Sequence, residues 1–145
     1  MLRAITVRNP WAWAILHGKP VENRGREWPI GEYALHCSKM RVAKRNVPVD
    51  FLDEMHAVRA MARAAGTRLP PSITYRELLK MSGCIVGMMR VTDCVTEFDS
   101  PWFVGPIGLV LADVVELKVP VPCKGSLGPW IVPPAIERAV REQLR

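Results

Sequence analysis

The chain has 145 residues, of which 49% are hydrophobic and 23% are charged. This length and composition fit one folded domain with a buried core and exclude an intrinsically disordered protein. The sequence has no apolar run near the roughly 18 residues that a membrane-spanning helix needs. Arg3 and Arg8 interrupt the N-terminal stretch in which an export signal would lie, so we expect a cytoplasmic protein with no membrane partner.

The net charge of +6 lies in the first third of the chain. Residues 1–45 contain nine Lys or Arg and three Glu, a surplus of six cations, whereas the rest of the chain contains eleven charges of each sign. Such asymmetry favours a polyanionic partner, because neutralising phosphates releases their condensed counterions. A basic, solvated surface without a partner is the alternative interpretation.

Hydrophobic periodicity and turn residues divide the chain into short elements. The patterns predict strands at 2–7, 32–38, 83–98 and 109–121, an extended segment at 19–24, and helices at 10–17, 50–65, 75–81 and 133–144. Asn9 and Asp50 are candidate helix caps, and Thr74 with Glu77 forms a capping box. Gly87 indicates a bulge in the longest strand, and Asp113 indicates a bend.

These elements predict an α+β protein that is mainly β. The strands outnumber the helices and do not alternate with them as regular βαβ units, which disfavours a parallel doubly wound sheet. A mixed sheet curled into a small barrel, with helices flanking it, fits better. We expect a single domain over 1–145, with a helical insert at about 45–82.

The most informative stretch is the end of the first helix and the extended segment after it. Gly18 lets the backbone turn sharply, so Lys19 emerges where the helix stops. In an extended segment, Glu22 and Arg24 project from the same face, and Lys19 can swing to join them. One carboxylate between two cations would hold both donors in place for a ligand. A solvent-exposed ladder of ion pairs is the alternative.

The chain resembles the ASCH domain family, which is related to PUA-like folds. The most specific feature is the Gly-Lys-x-x-Glu-x-Arg signature, formed here by Gly18, Lys19, Glu22 and Arg24. The resemblance extends in order over most of the chain outside the helical insert, through ITVRNPWAWAILHGKPVENR, EYALHCSK, GCIVGMMRVTDC, SPWFVGPIGLVL and PVPCKGSLGPW.

This resemblance implies a PUA-like β-barrel whose cleft is lined by the signature and binds RNA or a nucleotide-like ligand. Some members of the family look like enzymes, among them an amidohydrolase acting on N4-acetylcytidine and a ribonuclease. The catalytic lysine of the amidohydrolase branch corresponds to Lys19, but its threonine position carries Glu22 here. Its catalytic acid has no clear counterpart in this chain.

Aromatic residues close to Pro or Gly are candidates for stacking on a base. Trp11, Trp28, Trp102 and Trp130 lie in such places, and Trp102 is the best candidate for the mouth of a cleft. Filling of the core is the alternative for each of them, and the better interpretation for Trp13.

Further candidate ligand-binding residues lie on the predicted strands. His36 and Ser38 share one face and are followed by Lys39, the first cation of a basic loop suited to phosphate contacts. Asp93 lies midway along the longest strand, where it could pair with Lys19 or act as a base. The other cations of the basic loop are Arg41, Lys44 and Arg45.

We expect neither a cofactor nor a metal. The chain contains no Gly-rich phosphate loop of the Walker or Rossmann type, and its four cysteines form no C-x-x-C pair. They are expected to be free thiols. A metal site built from distant residues, such as His36 with Cys123, is the alternative.

Three functions remain open from the sequence. In a binding module, Lys19 and Arg24 would engage a phosphate or a base carbonyl, Glu22 would orient them, and Trp28 or Trp102 would stack. In a hydrolase acting on RNA or a modified nucleoside, Lys19 would be the base or nucleophile, with Glu22 beside it. In a protein-interaction adaptor, the Trp- and Pro-rich loops would form the contact surface.

Overall fold

The predicted strands and helices are present in the predicted order, the extended segment forms a strand, and one short strand near the C-terminus was not predicted. The computed structural model describes residues 1–42 and 47–145 of the chain. Its elements are β1 (Arg3–Val7), α1 (Trp11–Leu16), β2 (Val21–Arg24), β3 (Gly31–Cys37), α2 (Val49–Ala65), α3 (Tyr75–Leu78) with a 3₁₀ turn (Leu79–Met81), β4 (Cys84–Val95), β5 (Ile107–Pro122), β6 (Trp130–Ile131) and α4 (Pro134–Glu142). The protein is therefore α+β and mainly β, as predicted.

The strands form one mixed sheet in the order β2-β5-β4-β3-β1-β6. Strands β1 and β3 are parallel, and the other neighbouring strands are antiparallel. Within the described residues, β2 and β6 each pair with one strand and form the two edges of the sheet. The sheet is thus open, and the predicted barrel is not confirmed.

Although it is open, the sheet curls strongly. Three strands separate β2 from β1, so a flat sheet would place them about 19 Å apart at the usual interstrand spacing. Nevertheless Arg24 on β2 donates a hydrogen bond from Nη2 to the backbone oxygen of Thr6 on β1, at 2.9 Å. The curl therefore brings the first and fifth strands of the sheet to the same concave surface.

Irregularities in the long strands allow this curvature. The β4–β5 pairing shifts register between Ile85 and Gly87, which confirms the predicted bulge. A Cβ atom on Gly87 would lie 2.7 Å from the oxygen of Val115 and 2.9 Å from Leu16 Cδ2, so only glycine lets these groups approach. Asp113 has a φ of 53°, consistent with the predicted bend in β5.

Alternate residues of β1 enter two apolar clusters. Ile5 packs in a cluster with α1, whose Trp13 is 3% exposed and belongs to the core, as predicted. Ala4 packs in a second cluster with Val140 of α4. Because successive strand residues point to opposite faces, the sheet is covered on both sides.

Helices α2 and α3, with the 3₁₀ turn, lie within the range predicted for the helical insert. Residues 43–46, which include Lys44 and Arg45 of the basic loop, lie outside the described part of the chain. The prediction that Asp50 caps α2 was wrong. The helix begins one residue earlier, and its N-terminus has no side-chain capping bond. The cap at Thr74 is confirmed, since its Oγ1 accepts a hydrogen bond from the backbone N–H of Glu77 at 3.1 Å. The Glu77 carboxylate accepts from the Thr74 hydroxyl at 3.1 Å, so the second bond of the predicted capping box is replaced by one between the side chains.

The longest helix, α2, has 17 residues. Within 1–42 and 47–145, no helix has both the length and the apolar character to cross a bilayer.

All four cysteines are free. Burial raises the pKa of the Cys37 thiol to about 12, which makes it an inert core residue.

Candidate functional site

Lys19 is placed by the end of α1. Gly18 has a φ of 118°, and after it the Lys19 backbone N–H donates to the oxygen of Ala14 at 2.9 Å. A Cβ atom on Gly18 would lie 3.0 Å from Thr67 Cγ2, so the turn is also tightly packed. This turn directs the Lys19 side chain inward, where it is 2% exposed.

The predicted arrangement of one carboxylate between two cations is present. Glu22 Oε1 lies 2.8 Å from Lys19 Nζ, and Glu22 Oε2 lies 2.9 Å from Arg24 Nη2. The exposed fractions of the Glu22 and Arg24 side chains are 10% and 24%. Burial excludes the exposed ion-pair ladder, because both oxygens of one buried acid are used to hold two cations.

Two tryptophan rings support the cations. Lys19 Nζ lies 5.4 Å from the centre of the Trp11 ring, and Arg24 Cζ lies 5.0 Å from the centre of the Trp28 ring. Such contacts stabilise a partly desolvated cation. Trp28, which was predicted to stack on a ligand, is 7% exposed and packs beneath Arg24. Its ring therefore contacts a cation of the protein.

These cations line a cleft with a volume of about 710 Å³, which we call the Lys19 cleft. Three cations and one carboxylate lie among its lining residues, which are Thr6, Val7, Arg8, Trp11, Lys19, Glu22, Asn23, Arg24, Gly25, Ser38, Met61, Val104, Gly105 and Pro106. Arg8 lies at the solvent-exposed side and pairs with Glu54 at 2.8 Å, which raises the pKa of Arg8. Positive charge is thus in excess at the cleft wall.

One donor at this site is unsatisfied. Arg24 Nε is buried and has no hydrogen-bond partner among the described residues. Buried donors without a partner are rare because each costs free energy. Arg24 Nε is therefore a buried donor with unused hydrogen-bonding capacity among the described residues.

Six of the predicted ligand-binding residues do not line the Lys19 cleft, namely Asn9, Trp28, His36, Lys39, Asp93 and Trp102. Asn9 is 7% exposed, and its Oδ1 accepts a hydrogen bond from the Trp13 backbone N–H at 3.0 Å, so it supports the start of α1. Trp102 is fully buried, which makes its predicted place at the cleft mouth wrong. Asp93 is exposed, and its carboxylate accepts from the neighbouring Cys94 N–H at 2.8 Å.

Long-range packing explains the position of Trp102. Its Nε1 donates to Thr67 Oγ1 at 3.0 Å, which fixes the ring beside the end of α2. With Trp28, Trp102 and Trp130 all buried, the Trp-rich loops do not present these rings as a contact surface.

Asn23 holds the loop at the cleft edge. Its Nδ2 donates to the oxygen of Trp102 at 3.1 Å, and its Oδ1 accepts from the backbone N–H groups of Val104 and Gly105 at 2.9 and 3.2 Å. The sequence analysis missed Asn23. Its polar side chain lies on the strand face opposite Glu22 and Arg24, and this position could have indicated a contact with a neighbouring loop. The sequence analysis also missed Thr6, which the sheet curvature brings into the site.

His36, Ser38 and Lys39 line a second cavity of about 830 Å³, which we call the His36 cavity. His36 is 2% exposed, and its Nε2 lies 2.6 Å from the oxygen of Cys123. Burial lowers the pKa of His36 below its ordinary value of 6.5, although hydrogen bonds to backbone groups act in the opposite direction. The ring is therefore neutral near pH 7.

The tautomer of the neutral His36 ring follows from its partners. A carbonyl oxygen only accepts, so Nε2 carries the proton that it donates to Cys123. Nδ1 is then an acceptor for Thr6 Oγ1, which lies 3.2 Å away and itself accepts from Trp130 Nε1 at 3.0 Å. The structure therefore gives His36 two partners within the protein.

The metal alternative required His36 and Cys123 to come together, and they do. In the described ranges, however, no three His, Cys, Asp or Glu side chains are grouped so as to hold a metal ion.

A scan against models of protein families gives no match to this chain. No curated protein matches its sequence either. The resemblance to the ASCH family therefore stays a prediction from its motifs.

Replacing Glu22 by Gln removes the charge that compensates two cations. We expect Glu22→Gln to lower the free energy of unfolding by about 3–5 kcal/mol, the usual effect of leaving a buried charge without its partner. Urea denaturation followed by circular dichroism measures it. Glu32→Gln breaks an exposed ion pair with Arg141 and serves as the control, with an expected loss of at most about 1 kcal/mol. Equal losses in the two variants would contradict the buried arrangement.

Stability should also depend on His36 below pH 6.5. The unfolded chain takes up a proton there with an ordinary pKa, whereas the folded state resists protonation because its pKa is lowered. The unfolded state then binds more protons, so the free energy of unfolding falls as pH decreases, by at most about 1.4 kcal/mol per pH unit. The contribution of His36 to the free energy of unfolding is complete above pH 6.5. It is lost as the pH falls toward the pKa of His36 in the folded state.

His36→Gln should flatten the stability curve between about pH 6.5 and 5, the range set by the ordinary histidine pKa. His56→Gln changes an exposed histidine and should leave the slope as in the wild type. Denaturant unfolding at several pH values measures both curves. An unchanged slope in His36→Gln would show that its burial does not govern this titration.

Proposed function

We propose that this protein binds RNA or a nucleotide-like ligand in the Lys19 cleft. The observation that carries the proposal is the pair of cations, Lys19 and Arg24, held by the single acid Glu22 at the wall of a concave site. A cleft of about 710 Å³ is within the size range of small-molecule binding sites.

The charge balance favours an anion. Glu22 neutralises one of its two partners, so the buried group keeps one positive charge, and Arg8 adds another that Glu54 offsets. In a partly desolvated cleft, a cation attracts an anion more strongly than it does in bulk water. A phosphate group supplies the missing negative charge.

The donors of the cleft also fit oxygen ligands. An ammonium group has three donors, of which Lys19 uses one for Glu22, and Arg24 Nε lacks a partner among the described residues. Charge-assisted hydrogen bonds to phosphate or carbonyl oxygens are the strong class of such contacts. Trp11 is the one predicted stacking residue that lines the cleft, where it can contact a base.

Arg24→Gln tests this proposal, because it removes the cation and the unpartnered donor while leaving Glu22 paired with Lys19. We expect the affinity for fluorescein-labelled single-stranded RNA to fall at least about tenfold, as expected for the loss of a hydrogen bond to a charged group. Fluorescence anisotropy at several salt concentrations measures binding, which should weaken steeply with salt.

Lys118→Gln is the matched control, since Lys118 is exposed on β5 and lines neither the Lys19 cleft nor the His36 cavity. Like Arg24→Gln, it removes one positive charge, but at a position outside both cavities. Equal affinities in the two variants, or no binding by the wild type at low salt, would refute the proposal. Circular dichroism confirms that both variants are folded.

Hydrolysis of a modified nucleoside or of RNA is a second candidate function. One observation favours it: the hydroxyl of Thr6, which lines the Lys19 cleft, lies 3.2 Å from Nδ1 of the neutral His36 ring. A base beside a hydroxyl is the arrangement that activates a nucleophile. Lys19 would then stabilise negative charge on the substrate.

Incubation with acylated nucleosides and short RNAs, followed by mass spectrometry of the products, tests this second function. Turnover by the wild type that Thr6→Val abolishes would support it, with Lys118→Gln as the active control. Absence of product with every substrate would leave only the binding function.

A further inference from the structure

The Lys19 cleft and the His36 cavity are adjacent. Thr6 and Ser38 are lining residues of both, so the two cavities are neighbours in the structure. Each has a volume within the range of a site for one small molecule, at about 710 and 830 Å³. Side by side, the two cavities give more volume than one such ligand occupies.

The His36 cavity is positively charged. Lys39 and Lys124 lie among its lining residues, and the part of its lining that the structure describes includes no Asp or Glu. Both lysines are exposed, so their ammonium groups are free to move to a ligand. Ser82 and Ser126 add hydroxyl groups, which suit phosphate or ribose oxygens.

The inner wall of this cavity is fixed by packing. His36 is neutral and has partners at both ring nitrogens, so it shapes the wall without adding charge. Gly125 lies so close that a Cβ atom there would be 2.6 Å from His36 Cε1 and 3.0 Å from Thr6 Oγ1. The cavity therefore depends on a glycine and has a defined shape at the junction with the Lys19 cleft.

Because the two cavities are neighbours, we infer that they form one groove, which binds single-stranded RNA longer than one nucleotide. One nucleotide occupies the Lys19 cleft, the backbone passes Thr6 and Ser38, and the next phosphate groups lie at Lys39 and Lys124. This inference rests on the proposed function, because it assumes that the Lys19 cleft holds a nucleotide. An acidic peptide is the competing occupant of a cationic groove, and the experiment separates the two.

The experiment compares adenosine 5′-monophosphate with oligoadenylates from the dinucleotide to the hexanucleotide, using isothermal titration calorimetry. We expect affinity to increase by roughly tenfold between the mononucleotide and the tetranucleotide, because the lysines of the His36 cavity then bind additional phosphate groups. Two double variants separate the contribution of that cavity from the other effects of length.

The variant Lys39→Ala/Lys124→Ala should remove most of this increase, whereas Lys80→Ala/Lys118→Ala should keep it. The control pair lines neither hollow and changes the net charge equally. For the tetranucleotide, the slope of log affinity against log salt should become shallower by about 0.7 for each phosphate that the variant no longer neutralises.

Other results would contradict the second site, the proposed function or the choice of RNA as the occupant, as follows. If the mononucleotide binds but length adds nothing, or if both double variants reduce the increase equally, the second site is wrong and the proposed function stands. If neither mononucleotide nor RNA binds, both are wrong. If polyglutamate displaces the tetranucleotide as well as unlabelled RNA does, the inference of an RNA groove is wrong, and the groove recognises acidic chains in general.

Discussion

The bridge made by Glu22 between Lys19 and Arg24 is the interaction on which the site depends. Burying two cations is unfavourable unless an acid compensates them, and here one carboxylate uses each oxygen for one cation. The bridge joins the turn after α1 to β2, and the hydrogen bond from Arg24 to the oxygen of Thr6 extends it to β1. A local ion-pair group thus connects three segments and leaves positive charge at the cleft.

Local rules predicted the centre of this site correctly. A glycine that ends a helix directs Lys19 out of the helix, and strand alternation places Glu22 and Arg24 on one face, so these positions depend only on neighbours in sequence. The same rules predicted the order of elements and the bulge at Gly87. The basic character of the cleft also followed from the uneven distribution of charge along the chain.

Features that depend on distant contacts were not predictable in this way. The burial of Trp102 is set by Thr67, 35 residues away, and no local pattern shows that pairing. Thr6 lines the cleft because the curl of the sheet brings β1 close to β2, and the position of Thr6 within its own strand does not show this. Trp28 was predicted to stack on a ligand, but its ring contacts the guanidinium group of Arg24. An aromatic ring stabilises a partly desolvated guanidinium group more than a solvent-exposed guanidinium group.

The side-chain resonance of Arg24 Nε–H gives the most direct test of an anion site at the Glu22 bridge. It can be assigned in ¹⁵N-labelled protein by its absence in Arg24→Lys and followed while adenosine 5′-monophosphate is added. Because this buried donor has no partner among the described residues, a ligand oxygen should shift its resonance saturably, while that of exposed Arg26 stays in place. An Arg24 resonance that does not move, or that moves no more than that of Arg26, would contradict the assignment of the cleft as a nucleotide site.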